Sequence, residues 1–390
     1  MRSARGQYYT QRIGTPQPLR EIFLKIAHIH SSPGHSGGEV QVLLLLTGLR
    51  QRGIASTLFH LPGSACGKRA ASLGIPTLPL APRNAADFPG MWRLRHALRS
   101  GKFDVVHAHT GHAIWMGSMA ARPLKIPVVA TKRMDRPIRR GLKSYLIWRR
   151  WVDAAVGISP AVVQQLRQAN VPESRLHLIC SVVDPARATA QRSRVALRHE
   201  LATPANATAL LALGSLDYRK GLDVLLAACS LWPADAPPIH LWIAGDGPER
   251  QSLTEQARCL PPTIHIQFLG QRSDPADLLA ASDIVVMPSR AEGMGNTALE
   301  AMASERPIVA SAVGGLAHSI IPEETGLLVP PENPAALRAA LLRLVRDPAL
   351  RHRFARAGQT RVTTTFTPTA MVESYLSLYH RLIPPSPSYS

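Results

Sequence analysis

Short apolar runs alternate with longer amphipathic runs along almost the whole chain. In the first half, the runs predicted to be strands are 21–30, 103–110, 126–133 and 153–159, and the glycine-led run 37–53 is predicted to be a helix. In the second half, the predicted strands are 209–216, 239–247, 264–270, 283–289 and 307–315, with helical runs between them. Such alternation is typical of parallel α/β sheets. The pattern therefore predicts an α/β fold of two doubly wound, Rossmann-like domains.

The domain boundary is predicted near residues 182–205, where the sequence becomes polar and loses strand character. A chain of 390 residues suits two domains of roughly 150 to 200 residues each. The last predicted helix follows the second sheet and is expected to pack back on the first domain. The predicted divisions are a flexible extension at 1–20, a first domain at 21–190, a second domain at 191–367, a C-terminal helix at 368–383 and a tail at 384–390.

Basic residues are concentrated in the first half of the chain. The formal net charge is +19, and residues 1–180 contain 26 Lys and Arg against 7 Asp and Glu, whereas residues 181–390 contain 19 of each class. An excess of this size attracts an anionic partner, such as lipid headgroups, an acidic glycan or nucleic acid. An ordinary solvated basic surface is the alternative.

Eight of the cations lie within residues 132–151, interleaved with Leu142, Tyr145, Leu146, Trp148 and Trp151. This mixture is typical of a segment that lies on anionic lipid. The other interpretations are an acidic glycan as the partner and a merely solvated helix. The eight cations are Lys132, Arg133, Arg136, Arg139, Arg140, Lys143, Arg149 and Arg150.

The spacing of the cysteines and the length of the apolar runs indicate the cellular compartment in which the protein resides. Cys66, Cys180, Cys229 and Cys259 lie far apart without a C-x-x-C pair, so they indicate neither a disulfide framework nor a zinc site. The first 20 residues lack the apolar core of a secretory signal, and no run reaches the ~18 apolar residues that a spanning helix needs. We expect a cytoplasmic protein, placed peripherally on the inner face of the cytoplasmic membrane.

Open parallel sheets bind ligands at the carboxyl ends of their strands. Gly37 and Gly38 follow the first predicted strand and precede a helix, so their backbone N–H groups could approach an anion, although a plain glycine turn is the alternative. His107 and His109 share one face of a strand, but no cysteine or nearby carboxylate completes a metal site. We predict that His109 donates a hydrogen bond to a sugar or phosphate and that His107 packs in the core.

Adjacent cations occur in the second half, where Arg219 and Lys220 lie at the start of a helix predicted near Gly221. The helix dipole already favours anions at this end, and two cations add charge-assisted contacts. The pair therefore suits a diphosphate.

Two glutamates lie eight positions apart around a glycine-rich turn. Glu292 precedes Gly293 and Gly295, and a helix is predicted at 296–303, with Glu300 a little over one turn inside it. Both carboxylates can face one cleft, the first near a sugar and the second on the vicinal hydroxyls of a ribose. A solvated helical face is the alternative for Glu300.

Together these segments resemble the retaining glycosyltransferases of family 4. The resemblance covers about residues 22–378 and rests on 37–39 (GGE), 106–109 (VHAH), 218–221 (YRKG), 243–249 (IAGDGPE), 268–270 (FLG), 288–303 (PSRAEGMGNTALEAMA), 307–311 (PIVAS) and 314–315 (GG). It implies a GT-B fold, in which two Rossmann-like domains face each other across a cleft that holds a nucleotide diphosphate-sugar. Family members work without a metal, so no cofactor is expected.

The resemblance also implies roles for individual residues. Arg219 and Lys220 would neutralise the diphosphate and Glu300 would hold the ribose, while Gly37 and Gly38 would close on the phosphate from the other domain. The implied catalytic residues are His109, Arg219, Lys220 and Glu292. The implied donor-binding residues are Gly37, Gly38, Gly214, Arg219, Lys220, Gly270, Glu292, Gly293, Met294, Gly295, Asn296, Thr297 and Glu300. One position departs from the family pattern, since His318 stands where a glutamate commonly follows the double glycine.

The predicted activity is transfer of a sugar, with retention of configuration, from a UDP- or GDP-sugar to a glycan or glycolipid acceptor. Lipopolysaccharide or another cell-surface polysaccharide is the expected product. Same-face attack by the acceptor is the preferred mechanism, because no carboxylate must act as a nucleophile. The alternatives are a basic nucleic-acid-binding protein, for which the sequence shows no recognised motif, and a sugar-nucleotide epimerase or phosphorylase on a similar fold.

Overall fold

The computed structural model describes residues 24–33, 37–80, 84, 86–139 and 141–383. The predicted N-terminal extension, the predicted tail and Arg140 lie outside the described residues.

The first domain is built on a seven-stranded parallel sheet. Its strands are β1 (Lys25–His30), β2 (Ala55–His60), β3 (Thr77–Leu78), β4 (Val105–Ala108), β5 (Val128–Lys132), β6 (Ala154–Gly157) and β7 (Leu176–Leu178). The order across the sheet is β3-β2-β1-β4-β5-β6-β7. The winding direction changes between β1 and β4, and this crevice is where open sheets bind ligands.

Helices cover both faces of this sheet. They are α1 (Gly37–Gln51), α2 (Ala65–Ser72), α3 (Phe88–Ser100), α4 (Gly111–Ala121), α5 (Leu142–Tyr145) and α6 (Pro160–Gln168), with a π-helical turn at Leu146–Trp151. Four of them begin at a side-chain cap, in which Ser64, Asp87, Thr110 or Ser159 accepts a hydrogen bond from the N–H three residues on. These caps satisfy backbone donors that the first turn of a helix leaves unpaired.

The second domain repeats this plan with a six-stranded parallel sheet. Its strands are β8 (Thr208–Leu213), β9 (Ile239–Ala244), β10 (Ile264–Gly270), β11 (Ile284–Met287), β12 (Ile308–Ser311) and β13 (Gly326–Val329). The order is β10-β9-β8-β11-β12-β13, so the winding changes between β8 and β11. Every residue of β9 and β11 is buried, which explains their nearly continuous apolar sequences.

The helices of the second half connect and cover these strands. They are α7 (Pro185–Ala188), α8 (Arg194–Glu200), α9 (Leu222–Ser230), α10 (Arg250–Ala257), α11 (Pro275–Ala281), α12 (Asn296–Ala303), α13 (Leu316–Ser319), α14 (Pro334–Arg346), α15 (Pro348–Thr365) and α16 (Pro368–Leu382). Separate apolar clusters fill the two faces of the second sheet. The predicted α/β fold of two Rossmann-like domains is confirmed.

The last helix, α16, returns to the first domain. Val372, Tyr375 and Tyr379 are buried in one apolar cluster with residues of β1, α1, β4, β5 and β6. A Cβ on Gly48 of α1 would lie 2.5 Å from Val372, so the glycine lets the two helices approach closely. The C-terminal helix therefore completes the core of the N-terminal half.

None of the helices among the described residues combines the length and apolar composition that a membrane span requires.

Candidate active site

The loops at the carboxyl ends of the two sheets touch each other. The side-chain amide of Asn296, the first residue of α12, donates to the carbonyl oxygen of Gly37 at 3.1 Å. A Cβ on Gly293 would lie 2.4 Å from the carbonyl oxygen of Arg133, which follows β5. The crevices of both sheets thus open towards one cleft between the domains, and glycines stand where the two backbones meet.

Lys220 and Glu292 form an ion pair at the crevice of the second sheet. Glu292 is buried, and the hydroxyl of Ser289 also donates to its carboxylate at 3.3 Å. Gly214 directly follows the neighbouring strand β8, and a Cβ on it would lie 3.3 Å from the Lys220 side chain. A small cavity between β8 and β11 is lined by Gly214, Ser215, Lys220 and Ser289. The cation and the carboxylate predicted from sequence therefore share one site.

Arg219 and Lys220 lie on a single 3₁₀ turn, Tyr218–Lys220, directly before α9. Asp217 caps this turn, because its carboxylate accepts from the backbone N–H and from the guanidinium of Arg219, both at 3.0 Å. Burial opposes ionisation of Asp217, but hydrogen bonds from Ser215 and Arg219 lower its pKa below the usual value. The Arg219 side chain remains 36% exposed, so it can reach an anion in the cleft.

Arg290 fastens this turn to the loop after β11, and no sequence signal identified it. Its guanidinium donates to the two carboxylate oxygens of Asp223 at 2.8 and 2.7 Å and to the carbonyl of Tyr218 at 2.8 Å. It also stacks on the Tyr218 ring, 4.0 Å from the centroid. Its backbone N–H donates to the carbonyl of Arg219 at 2.7 Å. Arg290 therefore sets the position of the two cations relative to Glu292.

Glu300 is buried on α12, so the alternative of a solvated helical face is wrong. The helix begins at Asn296, as predicted, because Gly295 adopts a left-handed conformation (φ +79°) that turns the chain into it. Arg187 of α7 donates to the Glu300 carboxylate at 2.6 Å. Burial raises the pKa of Glu300, and the charge of Arg187 opposes that rise.

The remaining predicted donor residues fall into two groups. Gly38, Met294 and Thr297 flank the contacts between the two loops, and Met294 is buried in the core beneath them. Gly270 ends the edge strand β10, where its carbonyl accepts from the N–H of Gly245 at 2.7 Å. Because β9 separates β10 from β8, Gly270 supports the strand ends beside Gly214 and does not line the same cavity.

His109 is buried and has no free ring nitrogen. The guanidinium of Arg133 donates to its Nδ1 at 3.3 Å, and its Nε2 lies 3.1 Å from Nδ1 of His28. Since arginine can only donate, this neutral imidazole carries its proton on Nε2. Burial lowers the pKa of His109 well below its usual range. Both ring nitrogens of His109 have partners within the protein, so the predicted hydrogen bond from His109 to a sugar or phosphate requires one of these contacts to open.

His107 is a core residue, as predicted. Its ring nitrogens lie 2.7 Å from the hydroxyl of Tyr379 and 2.7 Å from that of Thr131. His28, His107 and His109 bring three ring nitrogens within 4.8 Å of one another, a cluster that the spacing of the last two alone did not show. Both nitrogens of His107 are occupied and the cationic Arg133 is adjacent, so these residues fit a metal ion poorly.

Asp135 of the first domain lies opposite Glu292 and was not identified from sequence. Gln165 donates to its carboxylate, and a Cβ on Gly314 would lie 2.7 Å from the other carboxylate oxygen. Burial raises the pKa of Asp135; the charge of Glu292 adds to that rise, whereas Lys132 opposes it. Asp135 is therefore a second acidic group that faces the loop carrying Glu292 from across the cleft.

The predicted basic patch divides into an inner and an outer part. Lys132 donates to the carbonyls of Met134 and Arg136, and burial lowers its pKa to about 8. Lys132 is the last residue of β5 and Arg133 follows it, with its guanidinium directed to His109, so these two residues form the inner part of the predicted patch. Trp148 is buried, which also excludes it from a surface. Among the patch cations that the structure describes, those that are exposed are Arg136, Arg139, Lys143, Arg149 and Arg150.

Comparison with known proteins identifies the family. Residues 193–361 match the family model described as "Glycosyl transferases group 1", and residues 35–187 match "Glycosyltransferase Family 4". A glycogen synthase of Mycobacterium tuberculosis (strain ATCC 25618 / H37Rv) is 30% identical over 300 residues, which cover 72% of this chain and 70% of that protein. The chain belongs to glycosyltransferase family 4.

Further similarity extends over nearly the whole enzyme. A lipopolysaccharide core biosynthesis glycosyltransferase, LpsD of Rhizobium meliloti (strain 1021), is 26% identical over 360 residues, covering 92% of this chain and 98% of that protein. The crystal structure of HepE of Anabaena in complex with UDP-glucose superposes with a TM-score of 0.81 at 20% identity, covering 92% of this chain and 100% of that one. This family 4 glycosyltransferase therefore has the GT-B fold.

The side chain of His318, which departs from the family pattern, contacts Cys180 and Phe366. Its Nε2 is 3.6 Å from Sγ of Cys180, and its ring packs edge-on against Phe366. Burial lowers the pKa of His318, and the charge of Arg361 adds to this. In this glycosyltransferase the neutral ring of His318 therefore packs between Cys180, in the connection between the domains, and Phe366, at the end of α15.

Proposed function

We propose that the enzyme transfers a sugar, with retention of configuration, from a nucleotide diphosphate-sugar to an acceptor of lipopolysaccharide or another cell-surface glycan. One observation supports the proposal: Lys220 pairs with Glu292 beside the crevice between β8 and β11, and Asn296, four residues after Glu292, contacts Gly37 of the first domain. The similarity to LpsD and to a UDP-glucose complex supports the donor and acceptor classes. Membership of a glycosyltransferase family favours transfer over nucleic-acid binding or epimerisation.

In the proposed reaction the chain stabilises charge on the leaving diphosphate. As the bond to the anomeric carbon breaks, Arg219 and Lys220 hold the developing negative charge in place of a divalent ion. Glu292 keeps Lys220 oriented and lies next to the sugar, and Glu300 accepts hydrogen bonds from the ribose hydroxyls. A hydroxyl of the acceptor attacks from the side of the departing diphosphate and passes its proton to the phosphate oxygen that is released, which gives retention without a covalent intermediate.

The exposed outer part of the basic patch supports docking on an anionic membrane surface. Leu142 is 75% exposed, and Tyr145 and Met134 are exposed beside it. Lys143 lies over the ring of Trp115, 4.7 Å from the centroid, which anchors this surface to α4. Apolar side chains ringed by cations are the mixture that binds anionic headgroups. The enzyme would thus work at the inner face of the cytoplasmic membrane, where a glycolipid acceptor resides.

Calorimetric titration tests the proposed donor site. UDP, GDP, ADP and CMP are titrated into wild type, Glu300→Ala and Glu324→Ala, with a chelator present throughout. Glu324 is exposed in the same domain, so its variant controls for a general effect of losing a carboxylate. We expect one nucleotide to bind selectively to wild type and Glu324→Ala and weakly to Glu300→Ala. Binding of none of them would contradict the proposal, and a product with inverted configuration would contradict the mechanism.

A further inference from the structure

Arg133 is a cation without a counterion at the meeting point of the two domains. Among the residues that the structure describes, no carboxylate lies within ion-pair distance of its guanidinium, whereas Arg187 and Arg290 are each paired. Its Nε is buried without a hydrogen-bond partner, and its one hydrogen bond through a terminal nitrogen goes to His109. Removing a guanidinium from water without pairing it is costly. In the protein without a ligand, no ion pair among the described residues offsets this desolvation cost.

The histidine rings near Arg133 are uncharged and incompletely bonded. His28 Nε2 and His30 Nδ1 are also buried without a partner. Burial lowers the pKa of His28 to about 3 and that of His30 to about 4, and the nearby charge of Arg133 adds to both shifts. These rings are therefore neutral at physiological pH. They provide polar atoms around Arg133 and no negative charge.

The position of Arg133 indicates which ligand would supply the missing charge. Its carbonyl oxygen abuts Gly293, which lies in the loop proposed to contact the donor sugar. The diphosphate of the donor has its own cations in the other domain, Arg219 and Lys220. A second anion, delivered from the side of the first domain, must therefore belong to the acceptor. A guanidinium binds phosphate or carboxylate through two parallel hydrogen bonds, which suits an anionic group on a sugar.

We propose that Arg133 binds a phosphate or carboxylate group of the acceptor, so that the enzyme selects an anionic acceptor and positions it against the donor sugar. This inference rests on the proposed function and specifies its acceptor. The proposal gives Arg133 a different partner from the outer part of the basic patch, whose cations are exposed and free to meet lipid headgroups.

The test measures anion binding to the UDP-saturated enzyme, in which the donor cations are already occupied. Glucose 6-phosphate, glucuronate and glucose are titrated at millimolar concentration, and binding is followed as the rise in Tm. The variants are Arg133→Gln, Arg133→Lys and, as a matched control, Arg136→Gln, whose side chain is exposed on the same loop. We expect the anionic sugars, and not glucose, to stabilise wild type and Arg136→Gln. Arg133→Gln should bind them roughly tenfold to hundredfold more weakly, and Arg133→Lys should retain part of the binding.

Three outcomes would overturn the inference. Equal binding of glucose 6-phosphate to wild type and Arg133→Gln would show that Arg133 meets no acceptor anion. A loss of UDP affinity in Arg133→Gln would assign the residue to the donor. A marked fall in the Tm of the free Arg133→Gln protein would show a structural role, since removal of an uncompensated cation should leave the Tm unchanged or higher. Failure of UDP to bind wild type is a separate result, which refutes the proposed donor.

Discussion

The ion pair between Arg187 and Glu300 predicts a specific pH dependence of nucleotide binding. Glu300 has a side chain only 7% exposed, and Arg187 donates to it at 2.6 Å from the one-turn helix α7 in the connection between the domains. Burial raises the pKa of Glu300, Arg187 lowers it, and the nearby carboxylate of Asp184 raises it further. Without Arg187, Glu300 should become protonated at a higher pH, and the proposed contact of its carboxylate with the ribose should be lost at that pH.

The size of the effect follows from the geometry. Two unit charges about 4 Å apart attract by about 4 kcal/mol at an effective dielectric constant of about 20. Arg187 is 40% exposed, so water screens part of this attraction, and we retain about 1–2 kcal/mol. Loss of this attraction raises the pKa of Glu300 further in Arg187→Gln. The carboxylate form is needed to accept from both hydroxyls, so affinity is lost as pH falls through the folded-state pKa and recovers above it.

Calorimetry of UDP binding from acidic to mildly alkaline pH measures this shift. The curve of Arg187→Gln should fall at higher pH than that of wild type and rejoin it at alkaline pH. Glu300→Gln should bind weakly throughout and report only the titration of the nucleotide phosphate, whose second pKa is about 6. Arg192→Gln, which breaks a neighbouring ion pair to Glu200, is the matched control. Parallel curves for wild type and Arg187→Gln would refute the reasoning.

Three further predictions concern the loops and the charge at the site. Gly293→Ala places a Cβ 2.4 Å from the Arg133 carbonyl, so it should lower the transfer rate at least about tenfold and leave the UDP affinity unchanged. The control Gly111→Ala, whose Cβ would have no atom within 4 Å, should change neither quantity. Equal transfer rates for the two variants would contradict this prediction. Arg290→Gln loses its bonds to Asp223, and UDP affinity measured by calorimetry should fall about tenfold; unchanged affinity would show that the turn holds without it. Transfer assayed with a chelator should match transfer without one, and a loss restored by Mg²⁺ would contradict the proposed role of the cations.

The parts of the site that follow from local signals could be predicted. The glycine-rich turn and the apolar run after it gave the start of α12 at Asn296, and the Arg219–Lys220 turn lies before α9 as expected. Four strands with weak local signals were not predicted: β2 is polar at three of its six positions, β3 and β7 have only two and three residues, and β13 begins with a glycine. Their position depends on pairing with neighbours and not on their own sequence.

Residues whose role depends on distant partners could not be found in this way. Arg187 and Glu300 are 113 positions apart, and Arg290 and Asp223 are 67 apart. Arg133 carries the same charge as the exposed Arg136, and sequence spacing alone does not show that it turns into the cleft. The distinction arises because Arg133 directly follows the last residue of β5, whereas Arg136 lies further along the loop.

The return of α16 to the first sheet also constrains synthesis of the protein. The last strand of the first domain ends at Leu178, but the helix that completes its core begins at Pro368, after the whole second domain. At about 5–20 residues per second, a ribosome needs roughly 10–40 seconds to cross that interval. During this time the apolar groove formed by β1, α1 and β6 has no cover. The second domain can therefore finish folding before the core of the first is complete.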